Sequence, residues 1–296
     1  MPSNTGARFG PSTSALALYA RQEVERAREA TDAVVDHLHP STEVLHELHR
    51  DLRRLRTLVR WWGRVGPARQ RERLRSIGAH LRRLSRLVGS VRDLDVELGL
   101  WEHVHRPASD RGSDLDSFGL RLRESARTGR ELLRASLRAE RATGLFRELE
   151  NHLARVDAPR SLGALRAALD GERGRLARAT ARARRRSLAA AEPHRMHDLR
   201  IRVRQLRYLT DLEDSLAGRE RPSFPTRYAR LQRRLGELHD RDLLAMHLIR
   251  VAPQHRASAW GRRLHQGREE LRASLIAEIA QLHPRRHLGP ARVRGR

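Results

Sequence analysis

Apolar residues recur every three or four positions along most of the chain, which is the spacing of amphipathic helices. Runs of β-branched residues are missing and aromatic residues make up only 4% of the sequence, which disfavours β-sheet. Gly, Pro and Ser gather where the pattern breaks. The pattern therefore predicts an all-α protein with helices over 15–38, 41–63, 67–105, 114–142, 160–191, 193–217, 223–252 and 255–283. Residues 143–159 are predicted to be a connection with a short helix, and 1–12 and 285–296 to be mobile tails.

Two stretches of the first half recur in the second half. The segment LHELHRDLRRLR (45–56) aligns with MHDLRIRVRQLR (196–207), and RRLSRLVGSVRDLDV (82–96) aligns with ARLQRRLGELHDRDL (229–243). Two matches in the same order indicate a tandem duplication of about four helices each. Repeat one is predicted over about 13–142, the connection over 143–159 and repeat two over about 160–284.

Each aligned helix carries a cationic stripe beside its apolar stripe. The apolar positions predicted to face the core are Leu48, Leu52, Leu55 and Val59 in the first half and Leu199, Val203, Leu206 and Thr210 in the second. The neighbouring cationic positions are His46, His49, Arg53, Arg56 and Arg60, and His197, Arg200, Arg204 and Arg207. Like charges at this spacing repel each other by a few tenths of a kcal/mol per pair. A cationic stripe that adjoins the buried face of a helix is expected to line a groove. Both stripes are therefore predicted to face a shared cavity where a bound polyanion relieves the repulsion.

The charge balance supports an anionic ligand. The chain has 61 basic residues, all arginine, against 36 acidic ones, which leaves a formal charge of +25. Arginine binds phosphate oxygens with its planar fork and stays charged near neutral pH, so a groove of many arginines suits a chain of phosphates. The simpler alternative is a solvated face with scattered acidic partners.

Other compositional features narrow the class of protein. Cysteine is absent, which excludes disulfides and a thiol nucleophile. The sequence shows neither an apolar run long enough to span a membrane nor a signal-peptide core. We therefore expect a cytoplasmic, soluble protein that does not associate with membranes.

The repeated motifs resemble those of the CHAD domain, the conserved histidine α-helical domain, over about 15–283. The resemblance implies one domain over 13–284, built as two four-helix bundles related by pseudo-twofold symmetry with a basic channel between them. It also implies binding of inorganic polyphosphate and location at polyphosphate granules. The binding residues that it implies are His46, His49, Arg53, Arg54, Arg56, His197, Arg200, Arg204 and Arg207, with Arg83, Arg86, Arg230 and Arg233 as weaker additions. The first half has His49 at the position where the second half has Arg200. This histidine is expected to weaken the phosphate contact in the first half or to make it pH-dependent.

A catalytic role is not expected from the sequence. Some CHAD proteins carry a CYTH triphosphatase domain, but its E-x-E-x-K signature is missing here, since EVERA at 23–27 lacks the lysine. No phosphate-cradling P-loop and no nucleophile–base pair stands out. The chain is therefore predicted not to be an enzyme, with no catalytic residue, no metal site and no cofactor.

The histidine–aspartate pairs at 197–198 and 239–240 leave a metal-dependent phosphohydrolase as a less favoured alternative, because such enzymes need several His and Asp side chains around a metal. The polar positions after the repeated glycines are Asp93, Asp95, His239, Asp240 and Asp242. Holding arginines by ion pairs, or capping a helix break at the glycine, is the favoured interpretation for them.

Non-specific nucleic-acid binding is the main rival function, because arginines on phosphate would hold that ligand too. Strand binding usually needs aromatic side chains within the basic surface, and Tyr208 is the one candidate for stacking. Trp61 and Trp62 are predicted to pack in the core. Nucleic acid is therefore expected only as a secondary polyanion, held chiefly by the basic tail over 285–296.

Overall fold

A computed structural model describes residues 11–37, 40–65, 68–105, 113–154, 162–219, 221–253 and 258–282. All regular secondary structure in these ranges is helical. The helices are α1 (Pro11–Asp36), α2 (Thr42–Val65), α3 (Ala68–His105), α4 (Ser113–Thr143), α5 (Leu145–Ala154), α6 (Leu162–Ala189), α7 (Pro193–Leu216), α8 (Thr226–Val251) and α9 (Ala259–Ala280). The predicted all-α class is confirmed. The predicted tails lie outside the described residues, except for 11 and 12, which begin α1.

The helix order follows the sequence repeat. Four helices precede the short α5 and four follow it, and α5 is the helix predicted within 143–159. Gly144 separates α4 from α5 with a φ of 70°, a left-handed conformation that glycine adopts without a steric cost. Hereafter repeat one means α1–α4 and repeat two means α6–α9.

One apolar core runs through both repeats. The predicted inward rows are buried, with Leu48, Leu52 and Leu55 of α2 and Leu199, Val203 and Leu206 of α7 each at most 1% exposed. Trp61 and Trp62 are buried in the same core, as predicted. The shared core packs α2 and α7 together, so the cationic stripes beside their apolar rows approach each other. The arrangement as two bundles about a pseudo-twofold axis stays a prediction.

A second apolar cluster ties the ends of the two repeats together. Trp101 at the end of α3 packs edge-on against Phe118 of α4 and Trp260 of α9, with ring centroids 5.2 and 4.7 Å away. Of the helices that the structure describes, none combines the length and the apolar character needed to cross a bilayer.

Candidate functional site

The two cationic stripes line one cleft of about 300 Å³ between α2, α3, α7 and α8, which we call the central cleft. Its lining residues are His46, His49, Arg50, Arg53, Arg54, Arg92, Arg200, Arg204, Arg207, Tyr208 and Gln232. Seven of these are arginines, and none of the described lining residues is acidic. Both repeats therefore contribute side chains to this cleft.

The arginines of the central cleft repel one another in a partly dehydrated environment. Burial, followed by the charge of Arg204, lowers the pKa of Arg53 to about 9. Burial and Arg204 also lower the pKa of Arg200 to about 10. Both values still leave the groups charged at neutral pH, so the cleft holds a concentrated positive charge that an anion would stabilise.

The residue at the fourth position of each motif packs over the glycine of the following long helix. His49 of α2 lies over Gly89 of α3, where an added Cβ would come within 2.9 Å of the imidazole Cε1. Arg200 of α7 lies over Gly236 of α8, where the corresponding distance to Nε is 3.6 Å. The paired glycines therefore make room for these two side chains. The sequence alignment showed the glycines but gave no reason for them.

The first histidine of each motif is also held in a repeated way. Arg92 of α3 points its Nε at Nδ1 of His46, 3.4 Å away. The aligned residue in repeat two is His239, whose ring centroid lies 4.6 Å from that of His197. Burial and nearby arginines lower the pKa of His46 and of His197 below the usual 6.5. The same causes lower the pKa of His239 to about 3, so that ring is neutral at neutral pH.

The aspartates after the glycines hold arginines, as the favoured interpretation predicted. Asp93 and Asp240 lie 3.1 and 3.9 Å from the guanidinium of Arg92. The remaining two are buried: Asp95 binds Arg130 of α4, and Asp242 binds Arg268 of α9. The alternative of capping a helix break is wrong, because α3 and α8 run without interruption through Gly89 and Gly236.

Several buried polar atoms of the cleft have no hydrogen-bond partner within the described part of the chain. They include both ring nitrogens of His49, Nε of Arg54 and Nη1 of Arg204. His49 is only 3% exposed, and burial together with Arg53, Arg92 and Arg204 lowers its pKa to about 2. Unpaired buried donors are rare in folded proteins because each costs free energy. Their convergence on one cavity indicates a site for a ligand rich in acceptor atoms.

Comparison with known proteins assigns the family. The family model for the CHAD domain matches residues 18–249. The chain belongs to the CHAD domain family. Among curated proteins, none matches the sequence.

Solved structures share this CHAD fold. The crystal structure of the CHAD domain from the plant Ricinus communis is 18% identical, with a TM-score of 0.65, and the match covers 92% of each chain. PptA from Streptomyces chartreusis is 15% identical, with a TM-score of 0.59, over 92% of this chain and 96% of that one. At these identities the likeness establishes the fold alone.

The predicted binding residues of this CHAD domain fall into three groups. Those that line the central cleft are His46, His49, Arg53, Arg54, Arg200, Arg204 and Arg207. Arg56 and His197 are partly buried beside it, Arg56 near Ser85 and His197 near His239. The exposed residues outside the lining are Arg83, Arg86, Arg230 and Arg233. The structure thus brings both motif helices to one site and leaves the weaker additions on the surface.

Four lining residues are missing from the sequence-based list of binding residues: Arg50, Arg92, Tyr208 and Gln232. The sequence marked Tyr208 only as a candidate for stacking. Arg50 follows His49 on α2 and lies outside the stripe that the helical spacing defined. Arg92 was visible in the RDLD segment, where it aligns with His239. Gln232 aligns with Ser85, and nothing in its residue type or spacing marked it.

The histidine–aspartate pairs do not assemble as a metal centre in the residues described. Within those ranges, no three His, Cys, Asp or Glu side chains lie close enough together to hold a metal ion. Asp198 binds Arg186 and Arg202, and Asp240 faces Arg92. These carboxylates are therefore engaged by cations. The absence of catalytic activity stays a prediction.

Proposed function

We propose that this CHAD domain binds inorganic polyphosphate in the central cleft, as a binding module and not as an enzyme. The observation that supports this most is the lining itself: seven arginines from three helices around one cavity, with no acid among the described lining residues. Such a set of cations is stabilised by a ligand that carries closely spaced negative charges.

A chain of phosphates fits the chemistry of the lining better than a single phosphate. Each guanidinium offers a fork of N–H donors that matches phosphate oxygens, and one phosphate satisfies only a few of them. Arg53 and Arg204 approach from opposite repeats, so one linear polyanion contacts both stripes. Binding would also supply acceptors to the unpaired Nε of Arg54, to Nη1 of Arg204 and to the one ring N–H of neutral His49.

Nucleic acid fits the central cleft less well. Single strands are usually held by several stacked aromatic side chains, and Tyr208 is the one aromatic residue among those lining the cleft. A cavity of about 300 Å³ has the size of a small-molecule pocket. A duplex, whose major groove alone is about 12 Å wide, is therefore restricted to the outer arginines. We propose that nucleic acid binds only as a secondary ligand of that outer surface. We also propose that the protein is cytoplasmic and associates with polyphosphate granules.

The test compares two double variants of equal charge. R204Q/R207Q removes two cleft arginines, whereas R127Q/R138Q removes two exposed arginines of α4. Affinity for long-chain polyphosphate is measured over a series of salt concentrations. R204Q/R207Q is expected to lower it at least tenfold and to reduce the slope of log affinity against log salt by about 1.4, at about 0.7 per lost phosphate contact. R127Q/R138Q is expected to behave as the wild type.

Duplex DNA of equal charge serves as the competing ligand. Equal affinity for DNA and polyphosphate at every salt concentration would favour the nucleic-acid alternative. Equal losses in the two variants would show that charge alone, and not the cleft, holds the ligand.

A further inference from the structure

The cationic stripe of α2 continues beyond the central cleft. Arg53 lines the cleft, and Arg56 follows one turn later on the same helix face, with Arg60 a further turn on. The span from Arg53 to Arg60 is about 10 Å at 1.5 Å per residue. Nη1 of Arg56 lies 3.5 Å from Oγ of Ser85, which places its guanidinium against α3.

Two arginines of α3 extend this stripe on the surface. Arg82 and Arg86 flank Ser85 within one helical turn and are both exposed. Burial, followed by the charges of Arg60, Arg82 and Arg86, lowers the pKa of Arg56, so all three cations act on Arg56. The charge of Arg56 also lowers the pKa of Arg204, which lines the central cleft. Arg56 therefore adjoins the cleft.

Repeat two differs at the matching positions. Asp211 stands where repeat one has Arg60, Ala229 where it has Arg82, and Glu237 where it has Ser90. Asp211 accepts a hydrogen bond of 3.4 Å from Arg54. Glu237 lies 3.9 Å from Arg233, the counterpart of Arg86. Asp211 thus replaces a cation at the end of the repeat-two stripe, and Glu237 offsets the charge of Arg233 on α8. Repeat two therefore offers less positive charge to a polyanion at these positions.

We propose that a long polyphosphate chain leaves the central cleft over repeat one, along an exit track formed by Arg56, Arg82 and Arg86. The proposal rests on the proposed function and adds a direction to it. Each exposed arginine on the track contributes through the release of counterions from the chain. Affinity should therefore rise with chain length once the chain outgrows the cleft, and that gain should depend on repeat one.

The experiment measures tripolyphosphate and long-chain polyphosphate on the same variants. R82Q/R86Q is expected to leave tripolyphosphate affinity within twofold of wild type. For the long chain it is expected to lower affinity about fivefold to tenfold and the salt slope by about 1.4. R127Q/R138Q controls for the loss of two charges. R230Q/R233Q tests whether the chain leaves over repeat one. Its loss of long-chain affinity is expected to be at most half that of R82Q/R86Q on a logarithmic scale.

The outcomes separate this proposal from the function on which it rests. If wild-type protein binds neither ligand, both proposals fail. If R204Q/R207Q abolishes binding but R82Q/R86Q loses no more than R230Q/R233Q or R127Q/R138Q, the exit track is overturned and the cleft stands. A chain-length gain that R82Q/R86Q selectively removes supports the track.

Discussion

The two repeats place different side chains in the same setting. His49 of repeat one and Arg200 of repeat two occupy aligned positions, face the central cleft and lie over aligned glycines. One is neutral at pH 7, with a pKa of about 2, and the other is charged. The two aligned side chains therefore lie over the same kind of residue, a helical glycine, while their charge differs. A fourth cation beside Arg53, Arg92 and Arg204 would add repulsion that the neutral imidazole avoids.

The buried aspartates show a second difference between the repeats. Asp242 of repeat two is near two arginines that are about one-sixth exposed, Arg268 at 2.7 Å and Arg272 at 3.4 Å. Among the residues that the structure describes, Asp95 of repeat one binds only Arg130, and that side chain is 32% exposed. The α8–α9 contact therefore depends on its aspartate more than the α3–α4 contact does.

Replacing the two buried aspartates by asparagine should give the largest of the expected differences in stability. D242N removes the carboxylate that holds Arg268, whereas Arg272 keeps its ion pair with Glu269. It is expected to lower the free energy of unfolding by about 3 kcal/mol, because Asp242 is buried and Arg268 is only about one-sixth exposed. D95N should cost about 1–2 kcal/mol, because water reaches Arg130 and replaces the lost partner. Urea unfolding followed by circular dichroism measures both.

An exposed ion pair provides the control. D36N removes a carboxylate that is 62% exposed beside Arg141, and it should cost less than about 1 kcal/mol. A loss for D95N as large as that for D242N would mean that the repeats are equivalent in this respect.

The fold was predictable because its signals are local and repeated. Helical spacing of apolar residues placed the helices, and Leu52 and Val203 are buried in the rows that the spacing assigned to the core. The two motif helices of the site were predictable for the same reason, since the cationic stripes adjoin those rows. The duplication added the inference that both stripes meet.

The remainder of the site depends on contacts between helices, which periodicity along one helix does not contain. Gln232 enters the cleft because α8 packs beside α7, and its residue type does not mark that position. The neutral state of His49 arises from burial among Arg53, Arg92 and Arg204, which come from three helices. Arg83 and Arg230 share the motif composition, yet they face outward on α3 and α8.

Alanine substitutions at the paired glycines should change the free energy of unfolding differently in the two repeats, and the difference should be smaller than that expected for the aspartates. At Gly236 a Cβ meets Arg200 at an ordinary 3.6 Å, and alanine favours the helix by up to about 1 kcal/mol. G236A is therefore expected to stabilise the protein slightly. At Gly89 a Cβ meets the confined His49 ring at 2.9 Å, so G89A should destabilise it by about 1–2 kcal/mol net. Thermal unfolding measures both variants.

A double variant isolates the cause of the G89A effect. If the His49 ring is responsible, G89A should cost less in an H49A background than in the wild type. A destabilisation that is unchanged there would place the strain elsewhere in α3.

The smallest expected effect concerns His46 and His197, the histidines that both repeats share. Their pKa values lie below 6.5 in the free cleft, because burial and nearby cations disfavour the charged ring; for His46 these are Arg92, Arg50 and Arg53. Bound phosphate oxygens favour the charged ring and raise the pKa. Binding then takes up protons, so polyphosphate affinity should rise as pH falls through the interval between the bound and free values.

We expect a gain of a few-fold as the pH falls from about 7.5 to below about 6.5, because the pKa values of the free rings lie below that ordinary histidine value. H46Q and H197Q should each remove part of that gain. H49Q should retain it, because a pKa of about 2 keeps His49 neutral across the whole interval. Isothermal titration in buffers of different ionisation enthalpy reports the protons taken up. A gain that persists in H46Q/H197Q but is lost in H49Q would mean that the ligand charges the buried ring of repeat one, and that the shared histidines do not sense pH.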